Sequence, residues 1–142
     1  LELAGELFTG LQGQVSATVF DVDGDQLVED YTAEKMFRTS LTYQFQSLPD
    51  VRVGATYQWK DATSRVQGTV GPAYDNAGET IVTHQPSYGL LGLMASWQVT
   101  DKLAVRVNGY NVTDEKYLNS LYWAQGFYGA PANYSASVSY QF

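Results

Sequence analysis

Asp21-Val22-Asp23-Gly24-Asp25 places three carboxylates at alternate positions, a spacing that lets them converge on a hard cation such as calcium. The rest of a calcium loop does not follow, because an EF-hand sets Gly sixth and a bidentate Glu twelfth, whereas Gly24 is fourth and Thr32 twelfth here. The stretch 21–30 therefore reads as an acidic, solvated connection, in which Glu29 and Asp30 leave weak divalent binding open. His84 is the one histidine and cysteine is absent, which removes most pairings of nucleophile with base, every thiolate site and every histidine metal cluster. Ser135, Ser137 and Ser139 lie far from His84 in sequence, so a barrel phospholipase, the enzyme alternative, would have no other base to use. No residue is assigned a catalytic or metal-ligating role, and the chain reads as a non-enzyme.

Tyr122, Trp123, Phe127 and Tyr128 crowd a stretch otherwise built from Asn, Ser, Gln and Gly. Amphipathic rings so placed serve either as interfacial anchors or as a platform for an amphipathic ligand, and both readings stay open. Tyr74 and Tyr88 are weaker candidates for the same role. Arg38, Arg52 and Arg106 fall on the polar side of their segments, as do Glu2 and Glu6, so ion pairs among them, or contacts to a part of the protein outside this chain, are expected. With 15 acidic against 8 basic residues and a net charge of −7, the chain lacks the clustered Lys and Arg that nucleic acid requires. Asn111-Val112-Thr113 and Asn133-Tyr134-Ser135 match the glycosylation acceptor pattern and are read as chance matches.

The elements that position these residues are strands. From Tyr134 to Phe142, Tyr134, Ala136, Val138, Tyr140 and Phe142 share one face and Ser135, Ser137, Ser139 and Gln141 the other. No apolar run approaches the ~18 residues of a membrane-spanning helix, whereas a membrane β-barrel, whose signal per strand is weaker, fits this alternation and the 11 Tyr, 3 Trp and 6 Phe. Period two recurs in about seven segments: Leu1 to Phe8, about Gln14 to Asp21, Lys35 to Phe45, Val51 to Lys60, Tyr88 to Val99, Leu103 to Asn111, and the last strand. Val51, Val53, Ala55, Tyr57 and Trp59 against Arg52, Gly54, Thr56, Gln58 and Lys60 give the sharpest split, one face for lipid and one for a lumen.

Connections alternate in length, short at 9–13, 46–50 and 100–102 and long at 22–34, 61–87 and 112–132. Short periplasmic turns and long external loops are the asymmetry of outer-membrane barrels, and counting back from a periplasmic C-terminus puts every long loop outside. The fold class expected is all-β, an antiparallel up-and-down meander of about seven strands. An open sheet has free edges that lipid does not tolerate, so residues 1–142 are expected to be a fragment of a larger barrel.

Tyr110-Asn111-Val112-Thr113-Asp114-Glu115-Lys116-Tyr117 resembles the Asn-Leu-Phe-Asp-Lys-Lys-Tyr box near the end of TonB-dependent outer-membrane receptors, with Val112-Thr113 in place of Leu-Phe. Gly129-Ala130-Pro131-Ala132-Asn133-Tyr134 is similar to the segment that leads into their closing strand, with Ala132 where the family often has Arg. Phe37-Arg38-Thr39-Ser40-Leu41-Thr42-Tyr43 resembles the ferric-siderophore branch, particularly hydroxamate and pyoverdine receptors. Tyr140-Gln141-Phe142 resembles the C-terminal assembly signal of bacterial outer-membrane barrels, which implies insertion by their assembly machinery. The resemblance covers the whole chain as the C-terminal part of a barrel of about 22 strands, plugged by an N-terminal domain absent from this sequence. It implies a multi-pass protein of the Gram-negative cell outer membrane, in contact with lipid, that takes up a ferric siderophore with energy delivered by TonB through the missing N-terminal part. Iron would arrive already chelated, so no cofactor is expected; a passive porin-like or adhesin-like barrel is the alternative.

Overall fold

Each alternating segment becomes a strand, because period-two patterning lets one face of a sheet be apolar and the other polar throughout. The computed structural model describes residues 1–21, 32–121 and 126–142. Its strands are β1 (Glu2–Phe8), β2 (Leu11–Val19), β3 (Lys35–Gln44), β4 (Val51–Lys60), β5 (Thr63–Thr69) and β6 (Thr80–Gln85). They continue with β7 (Tyr88–Thr100), β8 (Leu103–Tyr110), β9 (Leu118–Ser120), β10 (Phe127–Tyr128) and β11 (Asn133–Tyr140), and no helix occurs among the described residues. Seven form one antiparallel sheet in the order β1-β2-β3-β4-β7-β8-β11, the meander expected from the sequence. β5 with β6, and β9 with β10, form two separate two-stranded ribbons within the long connections.

The register carries the two faces across the whole sheet. Gly13, Leu41, Ala55, Leu93, Gly109 and Tyr134 stand in one row of cross-strand partners, and Arg52, Ser96, Arg106 and Ser137 in a row of the opposite face. Leu41, Leu93, Trp97, Val107 and Val138 are all exposed. Among the described residues the buried apolar side chains are Tyr88, Leu90, Tyr117 and Leu121, gathered where the long connections leave the sheet. Apolar side chains exposed in cross-strand rows over one face of a sheet mark a surface that an apolar environment or a partner covers.

Three tight turns lie at the other end. Gly10, at φ 86°, makes the first with Thr9 alone, which is why β2 starts at Leu11 rather than near Gln14. The Glu6 carboxylate accepts the Gly10 N–H at 3.0 Å. Val51 N–H donates to the Leu48 carbonyl at 2.9 Å in the second turn, and Thr100 Oγ1 accepts from Leu103 N–H at 3.1 Å in the third.

The long connection 61–87 carries a strand pair that the alternation did not single out: Val66, Thr80, Ile81, Val82 and Thr83 are β-branched and favour the extended chain that pairs β5 with β6. Of the two alternatives for Glu2 and Glu6, ion pairing with the arginines does not form among the described residues. Glu2 stands opposite Ser16, and Ser16 opposite Arg38, so the two backbone positions are two strand spacings apart, about 10 Å. Glu2 instead accepts from Gln14 Nε2 at 2.7 Å, and Arg52 donates to Gln44 Oε1 at 3.4 Å.

Candidate functional site

The site is built where the final long connection leaves β8. Asn111 and Asp114 take left-handed backbone, φ 49° and 53°, a conformation that short polar side chains tolerate. Asn111 is wholly buried, and its amide uses both ends: Nδ2 donates to the carbonyls of Glu115 at 2.9 Å and Ala130 at 3.1 Å, while Oδ1 accepts from Glu115 N–H at 2.9 Å. Asp114 Oδ1 accepts from Ala132 N–H at 2.9 Å. One asparagine and one aspartate thus pin the outgoing and returning arms of the connection to each other.

Tyr117 completes the base. Its ring stacks on Tyr88, centroids 4.4 Å apart with 24° between planes, and its hydroxyl shares a hydrogen bond with that of Tyr110 at 3.3 Å. Gly129 N–H donates to the Tyr117 carbonyl at 2.8 Å, and a Cβ on Gly129 would run into the Tyr117 ring. Burial, then the hydrogen bond with Tyr110, pushes the Tyr117 phenol well above the ordinary tyrosine range, so it stays protonated. Beneath this cluster the polar face holds an open hollow of about 410 Å³, lined by Arg38, Gln58, Leu90, Gly92 and Tyr110 among others.

Above the base, β10 pairs with β9, Phe127 opposite Ser120 and Tyr128 opposite Leu118. Phe127 is 53% exposed and Tyr128 79%, so both rings are free to meet a ligand or an interface. Tyr122 and Trp123 lie outside the described residues, as does the acidic stretch from Val22 to Asp30. Tyr74 is exposed in the β5–β6 hairpin, whereas Tyr88 is buried against Tyr117 and serves packing instead of a platform. His84 stands opposite Ser64 in the hairpin, while Ser135, Ser137 and Ser139 lie in β11 opposite Asn108, Arg106 and Ala104. At the chain end Tyr140 and Phe142 make an edge-to-face pair with centroids 5.4 Å apart, both exposed.

Sequence reasoning passed over Gln85, Arg65, Asp114 and Tyr117 as site residues. The available signal was the Asn111 to Tyr117 box itself, since Asn and Asp three apart are turn formers and an aromatic follows three residues on.

A seven-stranded antiparallel meander with one apolar face, one polar face and a locked connection at its end defines a segment of barrel wall. Residues 1–112 match the family described as TonB dependent receptor-like, beta-barrel, and the chain belongs to that family. It is 28% identical to the ferripyoverdine receptor of Pseudomonas aeruginosa over 146 aligned positions, covering 99% of this chain and 17% of that receptor. It is 30% identical to the ferric-pyoverdine BN7/BN8 receptor of Pseudomonas putida, covering 100% of this chain and 16% of that one. The crystal structure of the Pseudomonas aeruginosa ferripyoverdine receptor bound to ferripyoverdine matches with a TM-score of 0.83 at 28% identity, over 99% of this chain and 19% of that one. The ferric-catecholate import receptor Fiu of E. coli K12 matches with a TM-score of 0.73 at 20% identity, over 99% of this chain and 20% of that one, a likeness of fold. The chain thus spans about a sixth of the length of the curated receptors it matches.

Proposed function

We propose that this chain forms part of the wall and external loops of an outer-membrane receptor that takes up a ferric siderophore of the pyoverdine class, driven by TonB. The observation that carries the reading is the correspondence with ferripyoverdine receptors in both sequence and fold over nearly every residue, 99% of the chain in each comparison. Its apolar face, with Leu93, Val107 and Val138, meets lipid; its polar face, with Arg38, Arg52 and Arg106, meets the lumen. The tight turns face the periplasm and the long connections the exterior. TonB acts through a part of the receptor outside these 142 residues, and the barrel assembly machinery reads Tyr140 and Phe142 as its signal.

Phe127 and Tyr128, with Tyr122 and Trp123, supply apolar surface to a chelate whose iron is already saturated by its own oxygens, so no protein group ligates the metal. Uptake of radiolabelled iron as ferric pyoverdine under iron limitation tests the reading, with the full-length gene deleted and then restored. Uptake should vanish on deletion, return on restoration and disappear again without TonB. Uptake that persists without TonB would mark a passive porin and sink the proposal.

A further inference from the structure

We infer that Gln85 and Arg65 are positioning residues for the β9–β10 ribbon, tying the β5–β6 hairpin to the final connection so that the two long segments hold Phe127 and Tyr128 as one piece. The inference rests on the reading of that ribbon as part of a ferric-chelate site.

Gln85 closes β6 and is 7% exposed, yet both ends of its amide are used. Oε1 accepts the Leu118 N–H at 2.6 Å, and Nε2 donates to the Pro86 carbonyl at 2.7 Å. A buried amide is costly unless its groups are paired, and an apolar side chain would fill the same space without that requirement. What Gln85 adds over an apolar residue is the bond that crosses from the hairpin to β9. That bond arrives at the strand position directly opposite Tyr128, since Leu118 is the Tyr128 partner in the ribbon.

Arg65 supplies a second tie. Its Nη1 donates to the carbonyl of Leu121 at 3.1 Å, and Leu121 is among the most buried side chains of the described residues. In the hairpin Arg65 stands opposite Thr83 and Gln85 opposite Thr63, so Arg65 and Gln85 project from the same face. One bond alone would leave β9 free to pivot about Leu118. Two bonds, three residues apart in sequence, fix its direction as well as its place. The hairpin in turn is short-tethered to the sheet, with β5 starting shortly after β4 ends and β6 ending shortly before β7 begins.

The Asn111 and Asp114 lock holds only the base of the connection, so loss of the upper ties should loosen the ribbon and leave the barrel intact. The full-length receptor tests this with spin labels at Ala77→Cys, in the hairpin turn, and Asn119→Cys, on β9; these 142 residues contain no other cysteine. The distance distribution between the labels should be narrow in the parent and broad in Gln85→Leu. Ferric pyoverdine should bind Gln85→Leu more weakly, on the order of threefold to tenfold, as expected for contacting groups that act together. Gln85→Glu keeps an acceptor for the Leu118 N–H and, with its carboxyl protonated, also a donor for the Pro86 carbonyl, so at low pH it should restore both readouts. Arg65→Met provides an independent loosening should Gln85→Leu fail to assemble, judged by heat-modifiable gel mobility. An unchanged narrow distribution in Gln85→Leu and Arg65→Met, or a Gln85→Glu as loose as Gln85→Leu at low pH, would overturn the inference. Phe127→Ala and Tyr128→Ala separate it from the reading it rests on: parent-like chelate binding in both removes the aromatic platform, while the label distances still decide the coupling.

Discussion

Asn111 reaches across 19 positions to the carbonyl of Ala130, a 3.1 Å bond that joins the first residue after β8 to the approach to β11. Its amide is spent on backbone groups that would otherwise be buried without partners. Replacing it by Ala should leave those groups unpaired and cost about 1–3 kcal/mol of local stability. Limited proteolysis in the full-length receptor should then cut the 112–132 connection faster in Asn111→Ala than in the parent. Equal rates would show that the amide bonds contribute little to the lock.

The split between faces makes a second expectation. Val107 lies on the exposed apolar face and Asn108 on the other, one residue apart in the same strand. Val107→Arg should impair insertion, since a cation at the bilayer midplane costs about 2–4 kcal/mol, and Asn108→Arg should be tolerated far better. Val53→Arg and Gln58→Arg repeat the comparison in β4. Heat-modifiable mobility in the full-length protein reads the folded fraction, and equal loss in both members of a pair would overturn the assignment of faces.

Phe142 packs edge-to-face on Tyr140 at the end of the last strand. If this pair is the assembly signal, deleting Phe142 should leave secretion into the periplasm intact while the amount in the outer membrane drops. Fractionation with unchanged surface abundance would remove that role.

Tyr117 gives a pH dependence whose sign is fixed by its raised pKa. Below about pH 10 both folded and unfolded chains keep the proton; above it the unfolded chain loses the proton first, so the stability present at lower pH declines. Alkaline loosening of the connection, followed by proteolysis from about pH 9 to 11, should be steeper in the parent than in Tyr117→Phe. Parallel curves would assign the alkaline transition to other groups.

The sheet was legible because a period of two needs no knowledge of partners: Val51 to Lys60 declares both of its faces in ten residues. The β5–β6 hairpin was not, because its β-branched residues are diluted by Gly68, Gly71, Pro72 and Gly78, which read as loop chemistry. The exposed rings of Phe127 and Tyr128 could be singled out from composition, whereas Gln85 could not. Its importance lies in an acceptor placed beside Leu118, 33 positions away, and no local pattern announces such a bond. Asn111 and Tyr117 occupied an intermediate position, visible as a family box but without a physical role until the returning arm at Gly129 and Ala130 was in place.

The meander has a kinetic side. Every strand of the large sheet pairs with the sheet strand that precedes it in the chain, so no pairing has to wait for a distant segment to be delivered. Three of the six connections in the sheet are tight turns, and each strand can add to an edge that already exists. The excursions of β5–β6 and β9–β10 do not disturb this sequence, because each ribbon closes on itself before the chain returns to the sheet. An insertion machine handling such a chain would need to guard only one growing edge at a time.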